Sequence, residues 1–430
     1  MARKNKPKSN PLSIVAPVAR SLTRTLKASP VAALGGGFGR DLSNWLFPGY
    51  LAAILLGFLL IWKVGSPAGN SNFVRPLFIA MNAATLSGFS ADPGIGALNL
   101  AGQWIALLLI IFGSLFTMTV GALAVVRITR LRFSDRDVIT AALIVEGAAL
   151  LVGASLLWEG DRTPFQALFL SASSFGNCGQ YIAALPDPSK ILVHAVILPL
   201  SVLGGLGLPV LMEIWCFLAF HVKISAHASA AIAATAWLYV IGLVLLTAFN
   251  LAGHGRPSWS QIKAQLPANS VLAIESRTGG MEIAPVSAMS QPAQWALIVL
   301  MMIGANSAGT AGGLKGSTVL ELARGARRIL RGEPVGRSFA IAFVWLAVYL
   351  GLILAAVLLL TYVSGAQPGD NVLFNAVSGL SNVGFTVQPV PDTKGVLFAY
   401  CAIMLVGRMA PLMVLWWMAE TTADAELAIG

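Results

Sequence analysis

Cysteine is nearly absent from this chain: Cys178, Cys216 and Cys401 are the three in 430 residues. They lie in apolar surroundings without paired spacing, which excludes a disulfide framework and a cysteine-based metal site. Histidine is equally sparse. His194, His221, His227 and His254 share no ligand spacing, so no transition-metal site is expected. Charge is the scarcest commodity: only 11% of residues are Asp, Glu, Lys or Arg, against 57% hydrophobic. A soluble domain carries about 25% charged residues, so a soluble chain is excluded. Paired acids and nucleophile–base sets are missing too, and no covalent chemistry, bound cofactor or enzymatic activity is expected.

What the chain has instead is long apolar runs, over 50–62, 104–126 and 339–362, long enough to cross a bilayer or nearly so. The net charge of +10 would fit nucleic acid, but its distribution argues for membrane topology and lipid contact instead. Eight basic residues precede position 48. Arg127, Arg130, Arg132 and Arg136 form a second cluster, and Arg324, Arg327, Arg328, Arg331 and Arg337 a third. These clusters fall in alternate gaps between apolar runs, as the positive-inside rule requires. The basic start has no short apolar core before residue 50 and reads as a solvated cytoplasmic tail rather than a cleaved signal, with a surface helix over 14–26.

Between the long runs lie shorter apolar stretches, at 74–85, 164–175, 292–305 and 370–381, too short to span and suited to re-entrant segments. The order is long, short, long, four times over. Pore repeat 1 covers 48–127, repeat 2 137–222, repeat 3 228–332 with a broken inner helix, and repeat 4 337–420; tails of 1–47 and 421–430 are cytoplasmic. The expected fold is an all-α polytopic membrane protein with four helix–pore-loop–helix repeats around one central pore, made of eight spanning helices plus four re-entrant pore helices. That count places every basic cluster and both termini on one side. The stretch 253–290, rich in Ser, Gln and Pro, reads as an external loop.

Each short segment ends on a small-residue loop with a glycine: Thr85, Leu86, Ser87, Gly88; Asn177, Cys178, Gly179; Ser307, Ala308, Gly309; and Asn382, Val383, Gly384. Non-helical backbone at membrane depth leaves carbonyls without partners, tolerated only against protein or water. A ring of such loops turns those carbonyls into a cation site, and the negative end of each preceding short helix adds to it. The third glycine is Gly309, with Ala308 as the rival position. Arg408, amid apolar 401–406 and 409–417, is costly in lipid and points to a wet or partnered site. Gly312, Gly313 and Gly316 weaken a helix by up to about 1 kcal/mol each, which fits an unwound gate. Lys315 lies among them, and its pairing with an acid such as Glu146, Glu213 or Glu321 stays open.

On these loops the chain resembles the TrkH/KtrB/HKT superfamily of potassium transporters. Gly204-Gly205-Leu206-Gly207-Leu208-Pro209-Val210, Ala311-Gly312-Gly313-Leu314-Lys315 and Val406-Gly407-Arg408 are similar to further motifs of that family. Gln180 after the second filter glycine departs from its apolar pattern. The resemblance implies potassium, with sodium as the rival ion, bound at a filter and taken up across the inner membrane. It implies a gate loop at 311–316 with Arg408 below the filter, a homodimer, and a cytoplasmic nucleotide-binding regulatory subunit of the TrkA/KtrA type. The rival reading is an alternating-access carrier, disfavoured because such carriers show two related halves and intramembrane charges.

Overall fold

A computed structural model describes residues 43–66, 73–91, 94–252, 258–365 and 367–427. The expected surface helix over 14–26 and most of the N-terminal tail lie outside the described residues. The described chain is almost entirely helical: α1 Ser43–Leu60, α2 Val74–Ala84, α3 Leu100–Thr129, α4 Asp135–Leu157, α5 Pro164–Gly176, α6 Leu198–Leu206, α7 Leu208–Phe220, α8 Ala226–Leu251, α9 Trp259–Glu275, α10 Gln291–Met302, α11 Gly316–Leu330, α12 Arg337–Ser364, α13 Gly369–Leu380 and α14 Lys394–Leu427.

Local chemistry sets many of the helix starts. Ser134 caps α4 and Ser258 caps α9, each with reciprocal bonds to the residue three positions on. Thr163 does the same for α5, where Pro164 occupies the first helical position. Among the described residues, six helices are long and apolar enough to cross a membrane: 46–65, α3, α4, α8, α12 and 394–420 of α14. A seventh crossing arises if the segment 193–206 and α7, bent by 104° at Gly207, count as one. The chain is thus a multi-pass α-helical membrane protein.

The four short helices α2, α5, α9 and α13 are packed alike. Each touches the long helix before it, and each also touches a second helix: α5 meets α3, α9 meets α6, α13 meets α10, and α2 meets α14 from the far end of the chain. The last contact joins the start of the chain to its end and closes the arrangement.

Two expectations are corrected here. The stretch 253–290 is not simply a loop, for it holds the 17-residue helix α9, whose second half is buried. The segment expected to re-enter at 292–305 is instead α10, which continues through an irregular stretch, 303–315, into α11. The third short helix is therefore α9. The reason is compositional: Gln261, Lys263, Gln265 and Pro267 make α9 too polar to register as an apolar segment.

Candidate cation site

Four loops follow the four short helices, and they meet. A Cβ placed on Gly88 would collide with the carbonyl oxygen of Cys178 and come within 2.9 Å of that of Gly279 and 3.1 Å of that of Val383. A Cβ on Gly179 would strike the Gly279 carbonyl, one on Gly280 the Val383 carbonyl, and one on Gly384 the Ser87 carbonyl. The carbonyls of Ser87, Cys178, Gly279 and Val383 thus converge, each from the residue just before a glycine. Gly88, Gly179, Gly280 and Gly384 all take positive φ, between 57° and 96°. That conformation and that crowding together exclude a side chain.

Hydrogen bonds hold the loops from behind. Asn82 accepts from the Phe89 amide at 3.1 Å and donates to the Phe89 carbonyl at 2.7 Å. Ser378 Oγ accepts from the Gly384 amide at 3.0 Å. Asn382 Nδ2 donates to Ser87 Oγ and to the Met404 carbonyl, tying the fourth loop to the first. Asn177 Nδ2 donates to the Ser201 carbonyl and to Thr310 Oγ1. Ser381 bonds Tyr349 Oη at 2.6 Å.

The sequence expectation named Thr85, Leu86, Ser87, Gly88, Asn177, Cys178, Gly179, Asn382, Val383 and Gly384, and the structure brings these together. Ser307, Ala308 and Gly309 are not with them. The stretch 303–315 packs on the glycine-rich turn between α6 and α7: Asn306 and Thr310 amides donate to the Gly205 and Gly204 carbonyls at 3.1 Å each. A Cβ on Gly207 would meet the Ser307 carbonyl. The third converging loop is Arg277-Thr278-Gly279-Gly280. It was missed because two glycine-rich stretches compete and only one follows an apolar segment. One signal was available: Gly88, Gly179, Gly280 and Gly384 are separated by 91, 101 and 104 residues, nearer an even repeat than Gly309 allows.

The third loop is pinned by two ionisable side chains, Glu275 and Arg277. Glu275 accepts from Ser201 Oγ at 2.8 Å and from the Met281 amide at 3.1 Å. Arg277, buried, donates to the Ile303 and Gly304 carbonyls at 3.2 Å each. It thereby ties this loop to the start of the irregular stretch.

Two cavities flank the convergence. One, of 320 Å³, is lined by Gly88, Phe89, Gly179, Gln180 and Tyr181 among others. The other, of 180 Å³, is lined by Gly309, Gly312, Lys315, Glu321 and Arg408. Arg408 is 2% exposed. Its Nε donates to the Thr85 carbonyl at 2.8 Å, and its Nη atoms donate to the carbonyls of Thr85 and Thr310. Its hydrogen bonds go to backbone oxygens, so its charge is balanced by dipoles alone. Lys315 donates to the Ala311 carbonyl. Glu321, on the same cavity, is bound by Arg324 at 2.9 Å. Near the first cavity, burial raises the Glu282 carboxyl above its usual range, and the amide of Val286 donated to it acts the other way.

A converging set of backbone carbonyls lies between two cavities inside a multi-pass helical membrane protein. No family model matches the sequence. It is 27% identical over 411 residues to the Ktr system potassium uptake protein B of Vibrio alginolyticus, covering 84% of this chain and 88% of that one. It is 25% identical to the protein of the same name in Bacillus subtilis, covering 87% and 92%. It is also 25% identical to the potassium/sodium uptake protein NtpJ of Enterococcus hirae, covering 93% and 95%. The fold matches the crystal structure of the potassium transporter TrkH from Vibrio parahaemolyticus with a TM-score of 0.67 at 16% identity, over 95% of this chain and 94% of that one. The chain is thus similar in sequence to Ktr-type potassium uptake proteins and in fold to the potassium transporter TrkH.

Proposed function

We propose that this protein takes up potassium, with sodium as the rival ion, through a selectivity filter made of the carbonyls of Ser87, Cys178, Gly279 and Val383. The observation that carries this reading is their convergence between two cavities. Carbonyl oxygens replace the water that a cation sheds on entering. The α2, α5, α9 and α13 helices end at these loops and direct negative partial charge towards them. Four repeats around one axis account for the closed packing, with eight crossings if the 193–220 segment and the broken α10–α11 each count once. Gly88, Gly179, Gly280 and Gly384 are the filter glycines. The ion moves inward with the membrane potential, worth about 2.3 kcal/mol per charge per 100 mV.

The sequence relatives support potassium or sodium as the cargo. The Ktr system name supports association with a regulatory subunit of the KtrA type, and homodimer assembly follows by the same resemblance. The clusters at 127–136 and 324–337 then face the cytoplasm, as do both termini, in the inner membrane. The test is rubidium uptake in a strain deficient in potassium uptake, with sodium as competitor. Uptake no higher than in the empty strain excludes the reading. In the same assay Gly88→Ser lowers the preference for potassium over sodium, because the new side chain displaces the converging carbonyls; an unchanged ratio removes Gly88 from the filter.

The stretch 303–315, with Gly312, Gly313, Lys315 and Gly316, is the gate. It lines the second cavity and is held by bonds such as those to the Gly204 and Gly205 carbonyls rather than by a helical ladder of its own. Its amides are expected to exchange with deuterium faster than those of α8 and α12. Equal protection across 308–318 would rule out a mobile gate.

A further inference from the structure

We infer that the Gln180 side chain is a cation ligand at the outer mouth of the filter; this rests on the filter reading above. The residue directly after each filter glycine occupies the same place in four loops. Three are apolar and buried, Phe89, Met281 and Phe385, at 3%, 1% and 0% exposure. Phe89 packs edge-on against Tyr400 with ring centroids 4.8 Å apart. The fourth is Gln180, 6% exposed, so an amide stands where the fold elsewhere places a packing side chain.

That amide has no hydrogen bond among the described residues, and its Oε1 is buried without a partner. A buried polar group left unpaired is costly, and in native structures it calls for a water or ion to complete it. Asn177 and Asn382 also leave Oδ1 unpaired, but their Nδ2 atoms are each anchored twice, and neither lines the 320 Å³ cavity. Gln180 does line it, together with Gly88 and Gly179. The other amide on that cavity, Asn82, is spent at both ends on Phe89. Arg75, also on its wall, is bound to Asp392 at 3.2 Å.

Gln180 is therefore the amide on this wall whose oxygen is uncommitted. A half-turn of the amide exchanges its two ends and breaks no bond, because neither end holds one. The oxygen then meets a partly dehydrated monovalent cation before it reaches the carbonyls of Cys178 and its counterparts. The contact is neutral, so it supplies a dipole without trapping the ion as a carboxylate would.

Packing and ligation predict different uptake. If the amide only fills space, Gln180→Met removes an unpaired polar group and leaves uptake unchanged. As a ligand, its loss raises the half-saturating concentration for rubidium roughly three- to tenfold while the purified protein melts at the same or a higher temperature. Gln180→Glu keeps an oxygen and the size, adds a negative charge, and lowers that concentration instead. Unchanged half-saturation in both variants overturns the proposal. Should Gln180→Met fail to reach the membrane, Gln180→Glu decides alone, and loss of both assigns the amide to folding and overturns the proposal as well. Failure of the unaltered protein to take up rubidium would instead strike the filter reading.

Discussion

Arg408→Ala is expected to raise rubidium uptake about tenfold or more. The guanidinium is buried, and its bonds run to the carbonyls of Thr85, Leu86 and Thr310. Those oxygens would otherwise be free to help a passing cation. The arginine thus acts twice, by occupying ligands and by repelling charge. A unit charge at about 8 Å in an effective dielectric of 20 contributes roughly 2 kcal/mol to the barrier. Arg408→Lys should restore much of the barrier, because the charge remains while the forked bonding is lost. Unchanged flux in Arg408→Ala, at normal membrane levels, would remove this residue from the ion path.

The second large effect separates two glycine-rich stretches that the sequence alone confuses. Gly280→Ser is expected to abolish the preference for potassium over sodium, or uptake altogether. A Cβ there would press on the Val383 carbonyl, and the backbone sits at φ 57°. A left-handed conformation costs a residue with a side chain about 1–2 kcal/mol before any collision. Gly309→Ala acts differently. Its Cβ would press on the Gly205 carbonyl, in the contact between the gate and the α6–α7 turn. It should change the rate of uptake and leave the ion preference intact. Should Gly309→Ala alter selectivity while Gly280→Ser does not, the original placement of the third filter loop at Ser307–Gly309 would have to return.

Three of the four converging loops were legible because each follows a segment that is both apolar and short. Asn177, Gly179, Asn382 and Gly384 carry local signatures, with asparagine two residues before glycine, and the structure shows why. Both asparagines take φ near 50°, a conformation their short polar side chains tolerate, and each then anchors a neighbouring helix or loop. The third loop lacks that signature. Thr278 stands where Asn stands in the second and fourth loops, and its helix is polar along the first half. Arg277 and Glu275 carry no motif at all; their roles exist only through Ile303, Gly304 and Ser201, distant in sequence.

The sequence by itself determined the solvent of this protein. Hydrocarbon penalises every charge and unpaired backbone group, and that penalty is written into composition, run length and the alternation of basic clusters. It also placed a glycine-bearing loop after three of the four short helices. Which loops face one another was decided only by tertiary structure. Carbonyl convergence is a property of backbone atoms common to all residues, so no side-chain pattern encodes it directly. It arises when α2 meets α14 and α9 meets α6, contacts that depend on the whole chain closing on itself.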